Sequence, residues 1–135
     1  MGLKRKTGNR GFTLIEMAVV ISLILILLSI ALPMYNQSIL RSKEAKLHHN
    51  LYVLNQVIQQ YSLDKKQAPQ TLDDLVQAGY FKFIPEDITG RTDTWHTEPE
   101  DPQNAMDPNQ TGIGSVHSGS DDLSSEGIPY SSWTH

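Results

Sequence analysis

Residues 11–33 read GFTLIEMAVVISLILILLSIALP, and between Phe12 and Leu32 only Glu16 carries an ionisable side chain. As a helix rising about 1.5 Å per residue, that stretch covers about 30 Å, the thickness of a hydrocarbon core. Its first expected structure is therefore a transmembrane helix over 12–33. A charge at the centre of such a span costs about 2.5–3.5 kcal/mol on insertion scales, and less near an end, where Glu16 lies. Glu16 either snorkels to the headgroups or meets a partner charge. Pro33 lacks an amide donor and is expected to kink or loosen the helix.

Working outward, the preceding MGLKRKTGNRG holds Lys4, Arg5, Lys6 and Arg10 and no acid. The remaining seven Lys and Arg face fifteen Asp and Glu, a balance of −8. A basic stub, an apolar run and an acidic body place the stub in the cytoplasm by the positive-inside rule. The same distribution argues against nucleic acid as a partner. A removed secretory signal would have similar flanks, but this apolar run is longer than a usual signal core. Its one small-x-small triplet, Ser29-Ile30-Ala31, also lies inside the run. Cysteine is absent, so no disulfide or thiolate metal site is possible.

Beyond Pro33 the pattern turns amphipathic. Leu40, Leu47, Leu51, Leu54, Ile58 and Tyr61 recur at spacings of three, four and seven, while Arg41, Lys43, Glu44, Asn50, Gln56 and Gln59 fill much of the rest. One long helix is expected from Phe12 to Asp64, its first half in lipid and its second packed on a soluble domain. TLDDLVQAG, residues 71–79, reads as a short helix with Thr71 to cap it and Gly79 to stop it. YFKFI, residues 80–84, is expected to be a strand or extended segment burying aromatics. From Pro85 the chain is loop-rich, with short strands expected near 92–97 and 114–117. The fold class that follows is α+β: a long N-terminal helix on a small antiparallel sheet.

The basic leader followed by Gly11, Phe12, Thr13, Leu14, Ile15 and Glu16 resembles the class III leader of type IV pilin-like proteins. That resemblance implies removal of residues 1–11 by a membrane prepilin peptidase, which cuts between Gly11 and Phe12, and N-methylation of Phe12. It implies that Glu16 pairs with the freed Phe12 amine of a neighbouring subunit during filament assembly. TLDDLVQAGYFKFIPEDITGRTDTW and VHSGSDDLSSEGIPYSSW resemble the globular part of the major pseudopilin of type II secretion systems. A periplasmic domain over 34–135 is then implied, with an inner-membrane anchor and a homo-oligomeric helical filament. Other pseudopilins and inner-membrane assembly proteins are the implied partners.

SGSDDLSSEG, residues 118–127, offers Asp121, Asp122 and Glu126, with Ser118, Ser124 and Ser125 nearby. Oxygen donors of this kind suit a hard cation such as calcium, although the spacing is not that of an EF-hand, and a solvated acidic turn reads equally well. The pseudopilin resemblance implies calcium, with ligands at Ser118 and Asp121 flanking Gly119 and a later acid at Glu126, or at Asp122 as the alternative. His48 and His49 are adjacent on the helix and point about 100° apart, which argues against one shared metal. Trp95 and Trp133 read as packing residues. No P-loop, nucleophile elbow or HExxH is present. The expected function is a non-enzymatic pseudopilus subunit that drives type II secretion. A type IV pilus pilin is the close alternative, and a single-span membrane-anchored enzyme or sensor is the alternative of another kind.

Overall fold

The computed structural model describes residues 2–3 and 11–134. Residues 4–10, which hold the leader's four cations, lie outside the described residues. Two compact units divide at Ser38 and Ile39.

Helix α1 runs Leu14–Lys65, in agreement with the expected 12–64, and Pro33 lies inside it without ending it. In the first unit the helix exposes its apolar side chains all round: Leu23, Leu25, Leu27 and Ile30 are each more than half accessible. A helix hydrophobic on every side needs an apolar surrounding, and this one is long and apolar enough to cross a membrane. Its hydroxyls are satisfied internally. Ser22 Oγ donates to Ala18 O at 2.7 Å and Ser29 Oγ to Ile26 O at 2.6 Å. Such back-bonding lets serine enter lipid without an unpaired donor.

In the second unit α1 becomes one wall of a small core. Leu47, Leu51, Leu54 and Ile58 are fully buried, and the expected stripe ends in half-buried Leu40 and Tyr61. Burying each aliphatic side chain is worth about 1.5–3 kcal/mol. They pack with Leu75, Trp95, Ile113, Val116 and Tyr130. Leu75 belongs to helix α2, Leu72–Gln77. The Asp74 carboxylate accepts the backbone N–H of Gln70 and Thr71 at 2.9 Å each. Gly79, at φ 85°, ends the turn: its N–H donates to Val76 O and that of Tyr80 to Leu75 O, a Schellman closure.

Strands β1, Trp95–Pro99, and β2, Ile113–Ser118, pair antiparallel with Trp95 opposite Ser118 and Thr97 opposite Val116. The α+β class is as expected, and both strands fall within a few residues of their expected places. A two-stranded ribbon is marginal alone. Here Asn55 of α1 acts as a further strand edge, accepting Val116 N–H at 2.9 Å and donating to Val116 O at 3.2 Å. Pro99 has no N–H to offer, and the register shifts between Glu98 and Pro99.

Of the two forms expected for residues 80–84, a strand or an extended segment, the strand does not occur. Phe81 and Ile84 reach the core, whereas Phe83 is 72% exposed. The Schellman closure redirects the chain there, and the Trp95 indole N–H then fixes it by donating to Pro85 O at 2.8 Å.

Candidate processing and assembly site

Helix α1 begins at Leu14, so residues 11–13 precede it as non-helical backbone. Gly11 and Phe12 are exposed, and a Cβ built on Gly11 would meet no atom within 4 Å. The peptide bond between them is therefore accessible and lies outside the helix. Thr13 sits at the cap of α1 and Glu16 three residues on. Glu16 N–H donates to Thr13 Oγ1 at 3.2 Å, and Thr13 N–H reaches Glu16 Oε2 at 3.5 Å. This reciprocal pair is a capping box. Carboxylate at this position also favours the positive end of the helix dipole. The T-x-x-E spacing of Thr13 and Glu16 is the sequence signal for this box. The Glu16 side chain remains exposed, and its bond to the Thr13 amide is long.

In the acidic C-terminal loop, the residues expected to ligate calcium make the following contacts. Asp121 Oδ1 accepts Ser131 Oγ at 2.8 Å. Asp122 contributes backbone bonds, its O accepting Tyr130 N–H at 3.0 Å and its N–H donating to Ser120 Oγ at 3.3 Å. Ser118 is fully buried, with its Oγ accepting Ser120 N–H at 3.2 Å. Glu126 is exposed and donates its N–H to Ser124 Oγ at 3.2 Å. Among the described residues no group of three or more His, Cys, Asp or Glu side chains is placed to hold a metal ion.

Two other carboxylates hold the loop from within. Glu44, on α1, is 7% exposed. It accepts Ser125 N–H and Ser125 Oγ, both at 2.6 Å, and Tyr130 OH at 2.9 Å. Burial pushes its pKa up, but the Ser125 hydroxyl and amide, the Tyr130 hydroxyl and nearby His48 outweigh this, and the net shift is downward. Burial first, and then its bond to Glu44, push the Tyr130 phenol up to about 12. Asp87, 4% exposed, accepts Ile88 N–H at 2.6 Å, Thr94 Oγ1 at 2.8 Å and Gly119 N–H at 3.3 Å. A Cβ at Gly119 would lie 2.1 Å from Thr94 O, so close approach, not an unusual φ, demands glycine there.

The aromatic closure completes the latch. His48 stacks on Trp133 with ring centroids 4.1 Å apart, and Tyr130 meets Trp133 edge-on at 5.2 Å. Both tryptophans pack, as expected, and His48 is a stacking partner. Glu44 was expected on the polar face. Its position, four residues after Leu40 and three before Leu47, continues the apolar stripe and was the available signal.

Residues 6–32 match the family model of the prokaryotic N-terminal methylation motif. No curated protein and no solved structure matches the chain.

Proposed function

From the type IV pilin-like methylation motif that the chain carries at residues 6–32, we propose that it is a structural subunit of a pseudopilus, polymerising to drive protein export by type II secretion. In this reading the prepilin peptidase cuts between Gly11 and Phe12, and Phe12 is N-methylated. Residues 12–33 anchor the subunit in the bacterial inner membrane, and residues 34–135 lie in the periplasm. Glu16 leaves its weak contact with Thr13 to pair with the Phe12 ammonium of a neighbour. Such a pair is strong in low dielectric and costly to leave half-made, so it would fix the register of assembly.

The observation that carries the reading is the overlap of the motif with an exposed apolar helix surface. The motif match ends at residue 32, and over the same residues α1 exposes an apolar surface with one carboxylate near its start. A mere anchor needs neither an exposed Gly11-Phe12 bond nor that carboxylate. A pilus pilin shares every step up to polymerisation. We favour the pseudopilin because the cysteine-free C-terminal segment is latched by Glu44 and Asp87 instead of a disulfide.

The test is the intact mass of the protein extracted from membranes. Wild type should lack residues 1–11 and carry one added methyl group. Gly11→Val should keep its leader. Since a Cβ added at Gly11 meets nothing within 4 Å among the described residues, such a block reports on the peptidase and not on the fold. Full processing of Gly11→Val would contradict the assignment.

A further inference from the structure

The second unit carries its charge unevenly along its sequence. No Lys or Arg occurs after Arg91, while the same stretch holds Asp93, Glu98, Glu100, Asp101, Asp107, Asp121, Asp122 and Glu126. A groove of about 470 Å³ lies between the late turns of α1 and the β1–β2 connection. Ile58 and Leu63 line one side, Met106 the other, with Glu100 and Asp101 at its edge and no cation among the lining residues. Leu63 and Met106 are each about half exposed, an apolar floor open to solvent. The Asp101 carboxylate is held in place by Gln103 N–H at 3.0 Å and Asn104 Nδ2 at 3.3 Å, neither of which neutralises it.

The opposite composition occurs at the other end of the same helix segment. Ile39, Lys43 and Lys46 stand at i, i+4 and i+7, one face of α1. Ile39 and Lys43 are exposed. Lys46 is paired with Glu86 at 3.1 Å, whereas Lys43 has no ion pair among the described residues. From Lys43 to Ile58 the helix rises about 22 Å. An apolar-basic face and an apolar-acidic groove thus occupy separate ends of one unit and cannot meet within a chain.

We propose that the groove at Ile58, Leu63, Glu100, Asp101 and Met106 receives the Ile39–Lys43 face of a second copy of this chain. Ile39 covers the apolar floor and Lys43 faces Glu100 and Asp101. The contact is heterologous, one end of each copy against the other end of the next. Interfaces of that kind do not close on themselves unless a rotation closes a ring, and otherwise propagate an open filament. The inference rests on the filament reading above and names the contact between soluble units that the reading leaves open.

The absence of native cysteine allows a direct test on the full chain in cells that process and assemble it. Oxidation of the double variant Lys43→Cys/Asp101→Cys should give a ladder of dimers, trimers and higher species. Each single variant should give none beyond a dimer. An intrachain disulfide is excluded because bridged Cα atoms lie within about 7 Å. Lys43→Glu should lose filaments, and Asp101→Lys in the same chain should restore them. Arg41→Glu makes the same charge change about 160° away around the helix and should leave filaments intact. Wild-type filaments together with an oxidised double variant that stays monomeric, or that crosslinks only to a different protein, would overturn the interface and leave the filament reading standing. Absence of filaments from wild type itself would overturn both.

Discussion

Replacing Glu44 with alanine is expected to destabilise the second unit by about 3 kcal/mol. Three hydrogen bonds to a carboxylate disappear, and the buried Tyr130 hydroxyl and Ser125 amide lose their acceptor. Trp133, stacked on His48 and edge-on to Tyr130, provides the readout. Denaturant unfolding of the detergent-solubilised chain, followed by tryptophan fluorescence, should show the lower midpoint. Glu44→Gln should fall between, since it keeps one acceptor oxygen but no charge. The pH dependence has a definite sign. A carboxyl whose folded pKa is lowered from 4.5 contributes stability that is fully present above that value and is lost as pH falls through the lowered one. Wild type should therefore lose part of its stability advantage over Glu44→Ala on acidification below pH about 4.5. Equal stability of the two at neutral pH would show that the latch does not hold the segment.

Glu16→Ala should insert and be processed but yield almost no filaments. Insertion becomes easier when a charge leaves the span. The capping box loses one of its two arms, which costs about 1 kcal/mol at most at a helix end and does not unfold a helix of this length. Assembly loses the anion proposed to receive the Phe12 ammonium. The intact mass separates the two effects: correct mass with no filaments supports pairing, and filament yield equal to wild type favours a glutamate that only caps its own helix and reaches the headgroups. Glu16→Asp keeps the charge on a shorter arm and should recover filaments in part.

Much of this fold is written in period and punctuation. The long helix follows from an apolar run that changes to a three-four spacing after Pro33, and that spacing names Leu47, Leu51, Leu54 and Ile58 as core. Thr71 and Gly79 bracket α2 because caps are local chemistry. Of the strand and extended readings of 80–84 the strand does not form, because a closure made by Gly79 and a bond from Trp95 redirect the segment. Those partners are distant in sequence or act on backbone. At the candidate processing site, Gly11, Phe12 and Glu16 are visible in the sequence, and the T-x-x-E spacing of Thr13 and Glu16 carries the capping role. In the C-terminal loop, the acids were visible but their organisation was not. Glu44 lies 81 residues from Ser125 and Asp87 lies 32 from Gly119. Partners that distant are not written in local spacing; only Glu44's burial is, through its place in the stripe between Leu40 and Leu47.

The central claim is that this chain is cut between Gly11 and Phe12 in order to polymerise. Electron microscopy of cells overproducing it with a prepilin peptidase and the assembly machinery tests that most directly, with an antibody against residues 39–134 as label. The account predicts labelled filaments whose subunits, recovered by shearing, begin at Phe12. Chain that is fully processed and abundant in the membrane, yet never found in a labelled filament, would contradict it.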